Sequence, residues 1–312
     1  MGKVAFVFPG QGSQFAGMGA DLAAAFPEAR EVFERADAAL GEALSRLCFE
    51  GPEDQLKLTA NTQPAILTVS LAVHAVLAAR GAAAEGVAGH SLGEYSAIGA
   101  AGGLGVEELV RTVRLRGELM QRAVPVGVGA MAAVLGPGRE EVEAVCREAS
   151  TVGEVVVAAN YNAPEQTVIA GHAAAVARAS ERLVARGAKR VVPLPVSAPF
   201  HSPLMAPVRS GLAPALEALS LAPLAVPLYT NVDAAPVVEP AAVRDALVRQ
   251  VDAPVRWVES VERMVADGFD TFVEVGPGSV LSGLVRRIAR GAVTVQVGTV
   301  AQVEAFASRA HP

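Results

Sequence analysis

The chain has little of several things that mark a protein class. Only two cysteines, Cys48 and Cys146, occur in 312 residues. They lie far apart without metal-ligand spacing, which excludes a disulfide scaffold and points to a reducing compartment. Aromatic residues make up 4% of the chain against 52% hydrophobic residues overall. The apolar mass is therefore mostly Ala, Val and Leu, which suits helices packed on buried aliphatic strands better than an aromatic-rich sandwich. Positive charge is also short: 26 Lys and Arg face 32 Asp and Glu, for a net charge of −6. A nucleic-acid partner needs a broad basic footprint, so none is expected. No uninterrupted apolar run is long enough to cross a bilayer. The N-terminal run Val4–Phe8 is too short for a signal segment and is broken by Pro9-Gly10-Gln11-Gly12. The expected setting is the cytoplasm, with no membrane partner.

What is present is an alternation of strands and helices. Val4–Phe8 reads as a buried strand entering a Gly-rich turn. Helical patterns follow at 17–26 and 28–47, then at Thr62–Arg80 with Pro64 in its first turn. Val87–Gly89 reads as a strand, Ser91–Ala101 and Glu107–Arg122 as helices. The segment from 126 to 195 then changes character: strand 129–135, helix 139–149, strands 155–160 and 167–170, helix 173–186, strand 190–194. This β-α-β-β-α-β order, in about 70 residues, is the ferredoxin-like one. Beyond it come a helix at 203–219, a strand at 226–231, helices at 240–250 and 255–267, and a strand at 271–275. A helix then follows the Gly276-Pro277-Gly278 turn, and the pattern ends in a strand at 293–297. The expected architecture is a mostly parallel sheet covered by helices, built from residues 1–125 and 196–312, with 126–195 as an inserted subdomain.

Gly89-His90-Ser91-Leu92-Gly93 falls between a predicted strand and a predicted helix, the setting of a nucleophile elbow. The turn is sharp, so small residues are needed two positions either side of the serine. The hydroxyl of Ser91 is then presented at the strand's carboxyl end, where the N–H of Leu92 can stabilise an oxyanion. A neutral serine needs a base, most often histidine. His74 lies in an apolar helix, His90 diverges from Ser91, His172 is placed to cap a helix, and His311 is next to the C-terminus. His201 remains, in the proline-bracketed loop Ser197-Ala198-Pro199-Phe200-His201-Ser202-Pro203.

With these residues assembled, the chain resembles the malonyl-CoA:acyl-carrier-protein transacylases of bacterial fatty-acid synthesis from end to end. The motifs that carry the resemblance, in order, are Phe8–Gln14, Gly89–Tyr95, Arg114–Gly117 leading into Gly129–Met131, Asn160–Asn162, Pro199–Ser202 and Glu274–Gly278. The resemblance implies an α/β-hydrolase-like core with a ferredoxin-like subdomain. It also implies ping-pong transfer of malonyl from malonyl-CoA, through malonyl-Ser91, to the phosphopantetheine thiol of acyl carrier protein, with His201 as base and no catalytic cofactor or metal.

Further roles come with it. The oxyanion hole would be the N–H groups of Leu92 and Gln11. On the helix pattern alone both Arg114 and Arg116 flank the apolar face; the resemblance selects Arg116 to grip the malonyl carboxylate, for which a guanidinium is suited by its paired donors. Gln250 marks the position whose backbone orients the histidine, Asn160 lies near the site, and Phe200 leaves little room for a 2-methyl branch. The assembly expected is a monomer that meets its carrier transiently, and Lys189 and Arg190, or Arg286, Arg287 and Arg290, are candidate docking patches for an acidic carrier. Competing readings are a discrete acyltransferase serving a polyketide synthase, an α/β serine hydrolase, and a non-catalytic carrier-binding module.

Overall fold

The computed structural model describes residues 2–125, 127–196 and 198–310, with side chains through Ser308. Two sheets organise it. The larger contains β1 (Lys3–Phe8), β2 (Gly86–Gly89), β7 (Leu228–Tyr229), β8 (Pro236–Val237), β9 (Phe269–Val275) and β10 (Val293–Val297), in the order β10-β9-β1-β2-β7-β8. All its pairings are parallel except the edge pair β7–β8. The smaller is antiparallel: β3 (Gly129–Leu135), β4 (Val156–Ala163), β5 (Gln166–His172) and β6 (Arg190–Pro193), in the order β4-β5-β3-β6.

Why β1 is apolar from Val4 to Phe8 follows from its position between β9 and β2, with both faces covered. Phe6 and Phe8 point into the main core beneath the helix Thr59–Ala79, while Ala5 and Val7 join Trp257, Val261, Leu281 and Val285 on the opposite face. The small sheet divides its residues in the same way. Ala132, Val134, Val156 and Ile169 pack under its own helices, Arg139–Ala149 and Ala173–Ala185. Met131, Val168 and Ala170 face the main core. That alternation, period two along each strand, is what turns one face of the small sheet toward the large one.

Several expectations from the sequence shift. The pattern at 28–47 is two helices, Pro27–Leu40 and Leu44–Glu50, because Gly41 takes a left-handed conformation between them. The long helix starts at Thr59, so Pro64 lies inside it rather than in its first turn. This helix is also, by length and composition, the one helix among the described residues apolar enough to cross a membrane, yet 78% of its most apolar window is buried inside the protein. The expected strand 226–231 shrinks to two residues because the chain leaves the ladder after Tyr229 to bring Asn231 under Ser91. The hairpin partner β8 and the helix Val300–Ala310 have no counterpart in the sequence reading.

Helix Val106–Arg122, which carries Arg116, lies against the long helix through Gly117. A methyl group there would sit 2.7 Å from the Thr59 carbonyl oxygen. Gly117→Ala is therefore expected to lower the Tm: overpacking costs about 1–3 kcal/mol, more than the roughly 1 kcal/mol gained in helix propensity. A calorimetric scan measures the difference.

Candidate active site

The elbow is built by close approach. A Cβ on Gly89 would lie 1.9 Å from the backbone carbon of Gly93, and one on Gly93 would lie 2.0 Å from the carbonyl oxygen of Phe8. Only glycine fits at either position. Between them Ser91 sits at φ 53°, a left-handed conformation that costs a non-glycine residue energy. Buried Asn231 holds it there: its Oδ1 accepts from the Ser91 N–H at 2.7 Å and its Nδ2 donates to the Gly89 carbonyl at 2.7 Å. The helix Gly93–Ala100 starts immediately afterwards, which places the positive end of its dipole beside Ser91.

Ser91 Oγ lies 2.7 Å from His201 Nε2. On the other side of the ring, Nδ1 faces the carbonyl oxygens of Gln250 at 2.9 Å and Ala253 at 3.2 Å. A carbonyl cannot donate, so Nδ1 carries the proton and the lone pair of Nε2 points at the serine. Main-chain carbonyls stand where a hydrolase triad would place a carboxylate. Burial, reinforced by the charge of Arg116, holds His201 down to about 3, so the ring is neutral at ordinary pH.

Arg116 is fully buried. Its Nη1 donates to Gln63 Oε1 at 2.8 Å, and its Nη2 donates to Gln250 Oε1 at 2.8 Å and Ser91 Oγ at 3.1 Å. All of these acceptors are neutral, leaving a buried cation beside the nucleophile with no carboxylate in hydrogen-bond contact among the described residues. Arg114, two residues earlier and on the opposite side of the helix, instead reaches Asn61 and Glu42 near the surface.

Gln11, Ser91, Leu92, Arg116, Asn160, Phe200 and His201 line one cavity of about 160 Å³, together with Gln63, His90, Met120, Met131, Asn162, Val168, Leu194 and Val196. The expected site residues thus converge, except that Gln250 stands behind the wall and acts on it through its bonds to Arg116, His201 and the Ser91 carbonyl. Among the described residues the N–H groups of Gln11 and Leu92 have no protein acceptor, while the Gln11 side chain is tied to Thr59 Oγ1 at 3.2 Å. Asn160 is fixed where β4 meets the loop after Gln250, with Asn160 bridging Val255.

The sequence reading missed Gln63, Asn231, Glu94 and the pair His90–Asn162, whose Nε2–Oδ1 distance is 2.7 Å. Glu94, three residues past the nucleophile, is buried, and burial pushes its carboxyl up to about 7. The only local hint for it was a carboxylate in an otherwise apolar helix start. His172 occupies a helix N-cap position without capping through its side chain; its Nδ1 accepts from the Val155 N–H at 3.0 Å instead. His74 packs edge-on against Phe6 and Phe8, as a core histidine does. His311 and Ser197 lie outside the described residues. The two basic patches prove to be neighbours: Lys189 pairs with Glu165 at 2.9 Å, and Glu165 lines a surface hollow with Arg286, Arg287 and Arg290.

A strained serine, a neutral histidine oriented by carbonyls and two free N–H groups around one cavity define an acyl-transfer class of site. Comparison with known proteins agrees. The family model described as the acyl transferase domain matches residues 5–305. A malonyl CoA-acyl carrier protein transacylase of Bacillus subtilis is 46% identical over 304 residues, covering 97% of this chain and 96% of the relative. A crystal structure of an acyl carrier protein S-malonyltransferase from Vibrio cholerae superposes with a TM-score of 0.95 at 44% identity, covering 97% of this chain and 99% of its own. A malonyl-transacylase in complex with a type II polyketide acyl-carrier protein gives 0.96 at 43% identity, covering 98% and 99%. The chain belongs to the malonyl-CoA:acyl-carrier-protein transacylase family.

The electrostatics of His201 carry a sign that can be checked. Because the folded ring resists protonation while the unfolded chain takes up a proton near 6.5, stability falls as the pH drops below 6.5. Ring-nitrogen NMR of His201 is expected to show the neutral, Nδ1-protonated form from pH 8 to about 5; a midpoint near the free value would contradict the assignment.

Proposed function

We infer that the chain is a malonyl-CoA:acyl-carrier-protein S-malonyltransferase, working through a malonyl-Ser91 intermediate. The observation that carries this reading is the buried guanidinium of Arg116, 3.1 Å from the nucleophile and bonded only to neutral oxygens. A buried guanidinium with no carboxylate bonded to it is costly, and a substrate that brings a carboxylate supplies that bond.

Ser91 Oγ attacks the thioester carbonyl as His201 Nε2 takes its proton. The oxyanion is received by the N–H groups of Gln11 and Leu92. Collapse breaks the C–S bond, and the proton on His201 leaves with the CoA thiol. In the second half the phosphopantetheine thiol of the carrier attacks the malonyl ester, and the proton returns to Ser91 through His201. Gln250 holds the histidine by its backbone and Arg116 by its side chain. Arg116 grips the malonyl carboxylate, and in doing so the carboxylate offsets the positive charge that holds His201 down. Asn160 and Phe200 shape the acyl pocket, where one methyl group is worth only about 1–3 kcal/mol of discrimination. No cofactor or metal is required by this chemistry.

The second sheet, with its own helices and its own apolar cluster, supports a division into an α/β-hydrolase-like core, residues 1–125 and 196–312, and a ferredoxin-like subdomain, 126–195. We place the enzyme in the cytoplasm as a monomer, with acyl carrier protein as its transient partner. Arg286, Arg287 and Arg290, joined by Lys189 across Glu165, are a suitable landing surface for an acidic carrier.

Malonyl-CoA is expected to add the mass of one malonyl group to the intact protein, transferable to holo carrier protein and absent in Ser91→Ala. An unmodified wild type, or an adduct that persists in Ser91→Ala, would refute the intermediate. Arg116→Ala removes charge-assisted bonds worth about 1.5–3 kcal/mol, so malonyl-CoA kcat/KM should fall roughly 10- to 100-fold while the preference shifts toward acetyl-CoA.

A further inference from the structure

Glu94 is the one buried carboxylate close to the clamp, and nothing in the acyl-transfer steps uses it. It sits on the helix Gly93–Ala100, under the elbow, and does not line the cavity. Its Oε2 accepts a hydrogen bond from Gln250 Nε2. The second hydrogen of that amide goes to the Ser91 carbonyl at 2.9 Å, which leaves Oε1 facing Arg116 Nη2 at 2.8 Å.

The amide could also be placed the other way round. Its oxygen would then confront the Glu94 carboxylate and the Ser91 carbonyl, and its NH2 would confront a guanidinium. Both ends would be mismatched, acceptor against acceptor and donor against donor. The orientation is thus dictated by the neighbours, and Glu94 is the only carboxyl among them. Ser91's carbonyl alone satisfies one hydrogen of the two. Without Glu94 the other is left buried and unpaired, and the Gln250 side chain, with the oxygen that Arg116 Nη2 donates to, is held through its amide nitrogen by one bond instead of two.

We propose that Glu94 is a positioning residue of the carboxylate clamp: it turns the Gln250 side chain so that Arg116 is held toward the cavity in the pose that receives the substrate's carboxylate. The proposal rests on the reading of Arg116 as that clamp. It assigns selectivity between a charged and an uncharged acyl group to a residue that touches neither.

The test compares malonyl-CoA with acetyl-CoA on the full-length enzyme, reading kcat and KM separately. Glu94→Asp keeps the charge but withdraws the carboxylate from Gln250; Glu94→Gln keeps an acceptor oxygen in reach but removes the charge. Glu94→Asp is expected to lower the malonyl-to-acetyl ratio of kcat/KM about 10-fold, mainly through the malonyl KM, and Glu94→Gln to keep it within about threefold. In an Arg116→Ala background Glu94→Asp should move the ratio less than about twofold, as residues acting through one another require. An unchanged ratio in Glu94→Asp overturns the proposal. Equal losses for both substrates, which a merely structural role would produce, do so as well, and so does an undiminished effect in the Arg116→Ala background. If Arg116→Ala by itself leaves the ratio unchanged, the clamp is what fails, and the role of Glu94 falls with it.

Discussion

The site depends on the backbone of one residue being held where it would not go unaided. Ser91 at φ 53° lifts its hydroxyl out of the strand and leaves the Leu92 N–H free toward the cavity. Two glycines give the turn room, one against the other and one against the carbonyl of Phe8. Asn231 then closes it, with one amide group on each side of the bend. Strain of this kind persists only where the surroundings over-determine it, and here a strand neighbour, a helix start and a buried amide all act on the same three residues.

From that fixed point the rest of the machinery is referenced through Gln250. Its backbone carbonyl orients His201, its side-chain oxygen holds Arg116, and its side-chain nitrogen returns to the Ser91 carbonyl. His201, Arg116 and Ser91 are therefore all tied to a single residue. This accounts for the lack of an acid on His201: a second negative charge is not needed to orient a ring that two carbonyls already orient. Arg116 is also the one Arg, Lys, Asp or Glu among the described residues that line the cavity, and that suits the anionic acyl group proposed for it.

The small sheet contributes a wall rather than chemistry. Because side chains alternate along β3 and β5, Met131 and Val168 reach the cavity while their neighbours Ala132 and Ile169 fill the apolar cluster under the small sheet's own helices. Asn160 arrives differently: the register of β4 slips between Ala158 and Asn160, which sets Asn160 opposite Val168 at the cavity, and the bridge to Val255 fixes it there. The cavity thus lies where the small sheet meets the elements around the large one. Its shape depends on how their apolar faces meet.

Much of this was legible in the sequence, and the reasons differ by residue. Ser91 could be read because a sharp strand-to-helix turn demands glycines at fixed spacing, a local constraint. His201 emerged by elimination in a stiff, proline-bracketed loop. The elements from 129 to 193 matched their patterns closely, since period two and period 3.6 are also local. Whether Arg114 or Arg116 faces the site was not decided by helix pattern, which leaves both on the flank of the apolar face. The roles of Asn231, Gln63 and Glu94 were not legible, because their partners lie far along the chain, even for Glu94 inside the Gly89–Tyr95 motif. Spacing along the chain records what a turn or a helix face requires of its own residues. Which buried polar group answers which other is settled only when the sheets close, because hydrogen bonds between distant segments leave no period to read.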